Sequence, residues 1–534
     1  MKDAEAIDVD YVIVGGGTAG CVLANRLSAD GRTRVALLEA GPEDHSRWIR
    51  MPAGVVKLFT HPRLVWPYDT DPEPQLSERR LYWPRGKVLG GTSSINGMTY
   101  VRGQPQDYDA WAAIAGAQWS FDAVLPCFRR IEDHPLGPSH WHGRGGPVQI
   151  GTVTYRHAAS IAFHAAMVAV GVPDNPDYNG ETQDGVSFNQ VMMHDGRRVS
   201  AASAYLAPAR NRANLRVVTG ARVHRIVFDR QRATGVVFDQ RGTRGHAHAS
   251  REVILCAGTI ASPELLMRSG VGPGALLQRL GIVVIADRAW VGRNLQEHVR
   301  VQVVARTRNA TFNQESRGFA LARHAVRYAI ARRGLLTSTA SQVNAFIRSG
   351  ADVERPDLQI VFRPASGDYR GRRFVGHRFP GVMAMAGLLR PRSRGHVELR
   401  SGDIEVSPRI VTGHLLDGDD TERLVRAIRF LRSVFATAPL AEQVQSEMQP
   451  GSDMQDDAAL RAYVHATANS LFHAVGTCAM GLHADAVTDP QLRVRGVEAL
   501  RVVDASVMPL VPSGNTCAPV LMIAEKAADL IRVD

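Results

Sequence analysis

The first forty residues alternate between apolar runs and one glycine-rich stretch. Residues 11–14 form a short apolar run that is typical of a buried parallel strand, and a G-x-G-x-x-G pattern follows directly at residues 15–20. Apolar residues then recur at helical spacing over residues 21–27, and residues 34–39 predict a second strand that ends in an acid. This order of strand, glycines, helix and strand predicts a βαβ unit that binds a dinucleotide.

Later segments of the chain repeat both kinds of periodicity. Apolar runs or alternation predict strands at four segments, namely residues 215–218, 225–228, 357–362 and 395–400. Residues 421–431 have the spacing of an amphipathic helix. The Arg- and Gly-rich residues 369–380 predict a mobile loop. A chain of 534 residues has room for several domains of about 100–200 residues each.

Composition and charge exclude several classes of protein. Hydrophobic residues make up 45% and charged residues 22%, which excludes a disordered chain. The net charge is +11, but the arginines that carry it are scattered and have no interleaved aromatic residues, so we expect no nucleic-acid partner. No run of 18 apolar residues occurs, so we expect no integral membrane segment.

The cysteines and the first residues bear on location. The five cysteines lie far apart and form no C-x-x-C, which argues against a zinc site or a disulfide framework, so we expect no metal. The acidic start of the chain lacks the apolar stretch of a secretory signal peptide. Both observations favour a cytoplasmic location.

The glycine pattern assigns a role to each of its members. Gly15 permits the tight turn, Gly17 lets a pyrophosphate approach the backbone, and Gly20 lets the helix pack on the strand. Glu39 lies about 20 residues further on, where an acid accepts the ribose hydroxyls and disfavours the 2′-phosphate of NADP. This unit alone does not separate NAD from FAD.

A second cluster of small residues, at residues 84–97, could lie along an extended cofactor or could be an ordinary surface loop. From this point the sequence resembles the glucose–methanol–choline (GMC) oxidoreductases, a family of FAD-dependent enzymes. The resemblance runs end to end and is closest in appearance to bacterial choline and primary-alcohol dehydrogenases. Its motifs lie at residues 10–20, 38–42, 85–97, 100–103, 252–263, 291–298, 472–481, 500–506 and 514–516.

The resemblance implies an α/β fold with two discontinuous domains. A Rossmann-like FAD-binding domain would comprise residues 1–155, 197–300 and 461–534. A substrate-binding domain built on an antiparallel sheet would comprise residues 156–196 and 301–460. The oligomeric state is left open.

The resemblance also implies the residues that contact FAD. Residues 88–98 would lie beside the flavin and pyrophosphate, Val223 would meet the adenine, and Asp504 would lie near the ribityl chain. The position that carries a covalently attached His in some members is Ile95 here, so the FAD should be non-covalent. The full implied set is Gly15, Gly17, Thr18, Ala19, Gly20, Glu39, Ala40, Val88, Gly90, Gly91, Ser93, Asn96, Gly97, Met98, Val223, Asp504, Ala505, Asn515 and Thr516.

The implied reaction oxidises the CH–OH group of an alcohol to an aldehyde by hydride transfer to flavin N5. His473 matches the family's catalytic base, and Asn515 matches its His-or-Asn partner. The alternatives are an O₂-using aryl or primary alcohol oxidase and a choline dehydrogenase, so the electron acceptor is a quinone, a dye-type acceptor or O₂. A nicotinamide-dependent dehydrogenase and a binding module without turnover are the rival classes. Because no acid and aromatic groups could be placed around a trimethylammonium, a neutral primary or aromatic alcohol is favoured over choline.

Overall fold

The computed structural model describes residues 6–339 and 341–533. The strands of the described residues are β1 (Ile7–Val14), β2 (Val35–Glu39), β3 (Val65–Asp69), β4 (Tyr82–Gly86), β5 (Glu132–Asp133), β6 (Val148–Thr152), β7 (Gly185–Phe188), β8 (Gln190–His194), β9 (Arg197–Arg198), β10 (Leu215–Thr219), β11 (Ala221–Asp229), β12 (Arg232–Gln240), β13 (Thr243–Leu255), β14 (Val271–Gly272), β15 (Ala286–Asp287), β16 (Val299–Thr307), β17 (Val343–Ile347), β18 (Leu358–Arg363), β19 (Gly367–Arg370), β20 (Arg373–Gly376), β21 (Gly381–Leu388), β22 (His396–Glu398), β23 (Arg409–Val411), β24 (Val444–Gln449), β25 (Asn469–Ser470) and β26 (Leu500–Val502).

The helices connect these strands and cover the faces of the larger sheets. In the same described part of the chain they are α1 (Thr18–Leu27), α2 (Arg47–Arg50), α3 (Val55–Leu58), α4 (Pro105–Ala115), α5 (Phe121–Ile131), α6 (Ala158–Ala169), α7 (Ala207–Ala209), α8 (Gly258–Arg268), α9 (Gly274–Arg279), α10 (Phe312–Glu315), α11 (Gly318–Ala331), α12 (Gly418–Phe435), α13 (Leu440–Gln443), α14 (Asp457–Thr467) and α15 (Cys517–Val533). Among the described residues, no helix combines the length and the apolar sequence needed to cross a bilayer.

The first large sheet is built around the glycine-rich unit. Its order is β10-β2-β1-β13-β12-β11, and β26 also pairs with β13. The pairs β10–β2, β2–β1, β1–β13 and β13–β26 are parallel, whereas β11, β12 and β13 form an antiparallel meander. Strands β1 and β2 are apolar along most of their length and are buried under α1, on which α15 packs in turn, within one hydrophobic core.

The second large sheet has the order β24-β16-β21-β18-β17-β7, with β25 also paired to β16, and all of these pairs are antiparallel. Alternate residues of its strands point to opposite faces. One face is apolar and packs on α6, α12 and α14 in a single hydrophobic cluster. The other face borders the large cavity described below. The fold therefore contains the predicted Rossmann-like sheet and the predicted antiparallel sheet, whereas the domain boundaries stay a prediction.

Two local predictions differ from the structure. The segment predicted to be a mobile loop, residues 369–380, contains most of a hairpin in which β19 pairs with β20. The rings of Tyr369 and Phe374 pack edge to face across this hairpin at 5.5 Å, a contact that the Arg- and Gly-rich composition did not reveal. The strand predicted at residues 395–400 is confined to β22, which pairs only with β23, outside both large sheets.

The close packing of α1 on β1 allows a test of the glycine pattern. A Cβ on Gly20 would lie 2.0 Å from the carbonyl oxygen of Gly15, so backbone would have to move. We expect Gly20→Ala to destabilise the protein by about 1–3 kcal/mol, the usual effect of overpacking, as a lower midpoint of urea unfolding. Gly418→Ala in α12 is the control because a Cβ there would meet no atom within 4 Å. Equal midpoints for the two variants would contradict this account of Gly20.

Candidate active site

A cavity of about 1490 Å³ lies between the two large sheets. Residues from β1, β2 and the start of α1 line one end, and residues from β16, β18 and β21 line the other. Its volume exceeds the roughly 300–1,000 Å³ of a typical small-molecule pocket, so it has room for a dinucleotide together with a second small molecule.

The two glycine-rich segments meet at the first end of this cavity. Gly17 precedes α1, and Gly91 begins a short 3-10 turn over Gly91–Ser94. A Cβ on Gly91 would lie 2.7 Å from the Cα of Gly17, so the two backbones touch. At Gly17 the nearest atom to a Cβ would be 3.7 Å away, which leaves room toward the cavity. The first turn of α1 has no acidic residue and no side-chain cap, so it suits a pyrophosphate.

Glu39 closes the same end of the cavity. Its Oε2 accepts a hydrogen bond from the backbone N–H of Gly16 at 2.8 Å, and its Oε1 accepts one from Gly41 at 2.7 Å. Each oxygen keeps a second lone-pair direction for a ribose hydroxyl. Burial raises the pKa of Glu39 to about 7, although both backbone N–H groups and Lys87 oppose that rise.

Most of the predicted cofactor residues line this cavity. They are Gly15, Gly17, Thr18, Ala19, Glu39, Ala40, Gly91, Ser93, Asn96, Gly97, Met98, Val223, Asp504, Ala505, Asn515 and Thr516. Three predicted residues do not line it. Gly20 packs against Gly15, Val88 is buried in a small apolar cluster that also contains Ile95, and Gly90 donates its N–H to the carbonyl of Gly16 at 2.7 Å.

Asp504 and Asn96 are both held by protein groups. Asp504 Oδ2 accepts from the N–H of Gly258 at 2.8 Å and from the hydroxyl of Ser262 at 2.6 Å, which ties it to the start of α8. Asn96 Oδ1 accepts from Arg198 Nη1 at 2.8 Å. Arg198, which the sequence analysis did not single out, therefore fixes the second glycine segment. Burial lowers its pKa to about 9.

His473 lies at the other end of the cavity, on a backbone turn with an unusual conformation. Phe472 has φ of 69°, in the left-handed region that non-glycine residues rarely adopt. Its N–H donates to Ser470 Oγ at 2.7 Å, and its carbonyl accepts from Arg85 Nη1 at 2.9 Å. The N–H of His473 donates to Glu297 Oε1 at 2.7 Å. These bonds offset the strain and fix the position of the imidazole.

A chain of hydrogen bonds fixes the tautomer of His473. Gln359 Nε2 donates to Asn515 Oδ1 at 3.1 Å, which turns the Asn515 amide nitrogen toward the imidazole. Asn515 Nδ2 donates to His473 Nε2 at 2.9 Å, so this nitrogen carries the lone pair. The Nδ1–H of His473 therefore donates to His298 Nδ1 at 2.9 Å. A neutral His473 thus presents its basic nitrogen on the side of Asn515.

The surroundings of His473 favour its neutral form. Burial lowers its pKa well below the usual value, and the neighbouring His298 and Arg85 lower it further. Burial also lowers the pKa of His298 to about 4. Burial raises the pKa of Glu297 to about 7, and Arg85, whose Nη2 is 3.9 Å from Glu297 Oε2, only partly offsets that rise.

Several residues of this site escaped the sequence analysis. Glu297 and His298 belong to the quoted motif of residues 291–298, which was given no role, and Arg85 belongs to the second glycine segment. Gln359 lies in a predicted strand, and only its position on the cavity face brings it to Asn515. No local pattern distinguishes Gln359 from other strand residues.

One cluster outside the cavity has the residue types of a metal site. In the described part of the chain, ligand atoms of His134, His142 and Asp177 lie within 4.8 Å of one another. His142 Nδ1 is 3.0 Å from Glu132 Oε2, and its Nε2 is 2.9 Å from Asp177 Oδ2. Both ring nitrogens are thus engaged, and the His134 ring stacks on His142 at 3.7 Å. The cluster belongs to the hydrogen-bond network around the buried Arg102.

Comparison with known families gives two matches that together span most of the chain. Two models of the GMC oxidoreductase family, one N-terminal and one C-terminal, match residues 9–300 and 391–524. The glycine-rich end of the cavity, His473 and Asn515 fall within these matches, whereas β18 and β21 lie between them.

Individual proteins are similar over nearly their whole lengths. An alcohol dehydrogenase (acceptor) from Pseudomonas putida is 38% identical over 98% of this chain and 95% of its own. An oxygen-dependent choline dehydrogenase from Burkholderia multivorans is 39% identical over 98% of this chain and 94% of its own. The crystal structure of pyridoxine 4-oxidase from Mesorbium loti is 32% identical, with a TM-score of 0.90 over 98% of this chain and 99% of its own.

The buried carboxyl of Glu297 predicts a pH dependence of stability. Its pKa of about 7 lies above the ordinary value of 4.5, so between these values the folded state binds the proton more tightly than the unfolded state. Its contribution to stability is therefore present at low pH and is lost as the pH rises through about 7. We expect the free energy of unfolding of Glu297→Gln, measured with urea across that pH window, to fall less with rising pH than that of the parent protein. The difference should be at most about 3 kcal/mol.

The control for this measurement is Glu354→Gln, which changes an exposed glutamate. Its stability should follow that of the parent protein at each pH. A Glu297→Gln variant whose stability changed with pH as steeply as that of the parent would show that Glu297 ionises normally in the folded protein.

Proposed function

The chain belongs to the GMC oxidoreductase family, and we propose that it oxidises the CH–OH group of a primary alcohol to an aldehyde with FAD as cofactor. This proposal is supported by the layout of one cavity: the two glycine-rich segments meet at one end, and His473 and Asn515 lie at the other. The similarity to an alcohol dehydrogenase over nearly the full chain supports it.

The residues at the glycine-rich end fit an FAD molecule. The start of α1 and Gly17 would hold the pyrophosphate, Glu39 the adenosine ribose, and the backbone at Val223 the adenine. When bound, FAD supplies the acceptor for the hydride that leaves the alcohol carbon. Ile95 is buried in an apolar cluster and has no nucleophilic atom, which supports non-covalent binding.

His473 would act as the general base. Its Nε2 lone pair faces Asn515 at the cavity, so a substrate hydroxyl that takes the place of the Asn515 amide on this nitrogen could pass its proton to it. Asn515 would donate its amide N–H to the same oxygen and stabilise alkoxide character as the proton leaves. His298 contacts His473 through Nδ1 and does not line the cavity, so we assign it a positioning role in keeping Nδ1 of the base protonated.

The electron acceptor and the cellular location are part of the same proposal. We favour a dehydrogenase that passes electrons to a quinone or dye-type acceptor over an oxidase that uses O₂. All five cysteines are free thiols, which fits a cytoplasmic enzyme.

The non-covalent attachment can be tested on the purified protein. Acid precipitation should release the yellow flavin into the supernatant, because Ile95 offers no atom for a covalent bond to the isoalloxazine. The measurement is the flavin absorbance of supernatant and pellet, together with mass spectrometry of the unfolded chain. Flavin retained in the pellet would refute non-covalent attachment, and a protein without flavin would refute the proposed function.

The roles of His473 and Asn515 can be separated by stopped-flow measurement of flavin reduction. We expect His473→Ala to slow reduction by about 10²–10⁴-fold, the usual contribution of a general base. Asn515→Ala removes a hydrogen-bond donor rather than the proton acceptor, so it should slow reduction by roughly 10–10³-fold. A His473→Ala enzyme with an intact flavin spectrum and the parent rate would exclude the proposed base.

The pH profile of the parent enzyme tests the same residue. The base is active when neutral, so kcat/KM should fall as the pH drops through the pKa of His473 in the free enzyme. Because burial lowers that pKa, the acid limb should lie below the usual histidine value of about 6.5. This limb should be missing from the residual activity of His473→Ala.

A further inference from the structure

The face of the second sheet that borders the cavity carries charged side chains, whereas its opposite face is apolar. Arg300 of β16 and Gln359 of β18 both lie opposite Gly387 of the intervening strand β21. They therefore share one cross-strand row, and both line the cavity. Gln359 is the residue that donates to Asn515, so Arg300 lies on the row that leads directly to the proposed catalytic pair.

Arg300 is buried without a carboxylate partner among the described residues. Its side chain belongs to a residue that is only 6% exposed, and its Nη1 donates to the neutral amide of Gln302 at 3.0 Å. The other groups that influence its pKa are Tyr369 and Tyr463, and burial lowers that pKa. A buried cation whose hydrogen bond goes to a neutral amide is costly unless a ligand supplies the opposite charge.

A second guanidinium on the same face belongs to Arg363, four residues after Gln359 on β18. Arg363 of β18 lines the cavity, and its guanidinium carbon is 5.4 Å from the centre of the Phe374 ring. Tyr369, on the hairpin that borders the cavity, acts on the pKa of both arginines, and the charge of Arg300 lowers the pKa of Arg363. The two guanidinium groups are therefore close enough to repel each other.

At this end of the cavity the described lining residues include no carboxylate, and the carboxylate of Asp368 nearby is hydrogen-bonded to other side chains. Among the described cavity-lining residues between positions 300 and 385, none is Asp or Glu. Asp368, beside Tyr369 on the hairpin, is hydrogen-bonded to His377 Nε2 and to Gln449 Nε2, each at 3.0 Å. Arg300 and Arg363 thus line this end of the cavity and Asp368 does not, an arrangement that favours an anion over a cation there.

We propose that the substrate is an alcohol that also carries a carboxylate, which binds at Arg300 and Arg363 while its hydroxyl lies at His473 and Asn515. This inference rests on the proposed function and replaces the neutral alcohol favoured by sequence alone. The Cα atoms of Arg300 and Gln359 are two strand spacings apart, about 10 Å, so a spacer would separate the two groups, and one benzene ring is the spacer of the probes used below.

The reaction on such a substrate balances as an ordinary alcohol oxidation. The hydroxyl proton passes to His473 Nε2, and the hydride with its electron pair leaves the carbon for bound FAD. The C–O bond becomes a carbonyl, and the carboxylate is unchanged. The product is an aldehyde acid.

The test compares para-substituted benzyl alcohols whose substituent is carboxylate, methyl or trimethylammonium. We expect the holoenzyme to give the highest kcat/KM of flavin reduction with 4-(hydroxymethyl)benzoate and the lowest with the trimethylammonium alcohol. Arg300→Gln should lower the carboxylate-to-methyl ratio by roughly 10- to 100-fold, the contribution of a charge-assisted hydrogen bond. Arg300→Lys, which keeps the charge, should retain part of the ratio. Arg333→Gln removes an exposed arginine that does not line the cavity and should leave the ratio unchanged.

Calorimetric titration of the holoenzyme with benzoate provides a readout that does not depend on turnover. Arg300→Gln should weaken benzoate binding by a similar factor, and Arg333→Gln should not. If the methyl or trimethylammonium alcohol is preferred, or if benzoate binding is independent of Arg300, the anion site is overturned while the proposed alcohol oxidation stands. If none of the alcohols reduces the flavin, the proposed function fails, and the benzoate titration alone decides whether Arg300 forms an anion site.

Discussion

The imidazole of His473 depends on hydrogen bonds that come from separate parts of the chain. His298 precedes the first strand of the second sheet, Asn515 precedes the last helix, and Gln359 reaches Asn515 from the second sheet. Each bond fixes the direction of the next, and together they decide which ring nitrogen carries the lone pair. The two sheets must therefore hold a defined relative position for the base to be competent, and the cavity lies between them for the same reason.

Backbone strain and buried charge are concentrated around this imidazole. Phe472 is held in a left-handed conformation, and Glu297 and Arg85 are buried 3.9 Å apart without a direct hydrogen bond between their charged groups. Each of these features opposes folding, and the apolar packing of the second sheet on α6, α12 and α14 offsets them. The opposite end of the cavity has a simpler basis, because Glu39 and Asp504 are satisfied mainly by backbone N–H groups.

The arrangement of the glycine-rich end was predictable from sequence because its determinants are local. Gly17 and Glu39 lie within one βαβ unit, where spacing along the chain translates directly into spacing in the fold. The far end was not predictable in this way. The register of three antiparallel strands brings together Arg300, Gln359 and Arg363. Which residues of a strand face the cavity depends on how that strand pairs with its neighbours, and the sequence of one strand does not encode this pairing. The hairpin that carries Tyr369 was likewise hidden by its loop-like composition.

The positive charge at the far end bears on the strength of the base. A general base works best when its pKa lies near the working pH, and burial together with His298 and Arg85 holds the pKa of His473 well below its usual value. An anion bound at Arg300 would bring a negative charge into the same cavity and would raise the pKa of His473, because a nearby opposite charge favours the protonated imidazole. A neutral alcohol has no such effect. Under the proposed function, substrate charge and proton affinity would therefore be coupled, so that the imidazole would become a stronger base with the anionic alcohol in place.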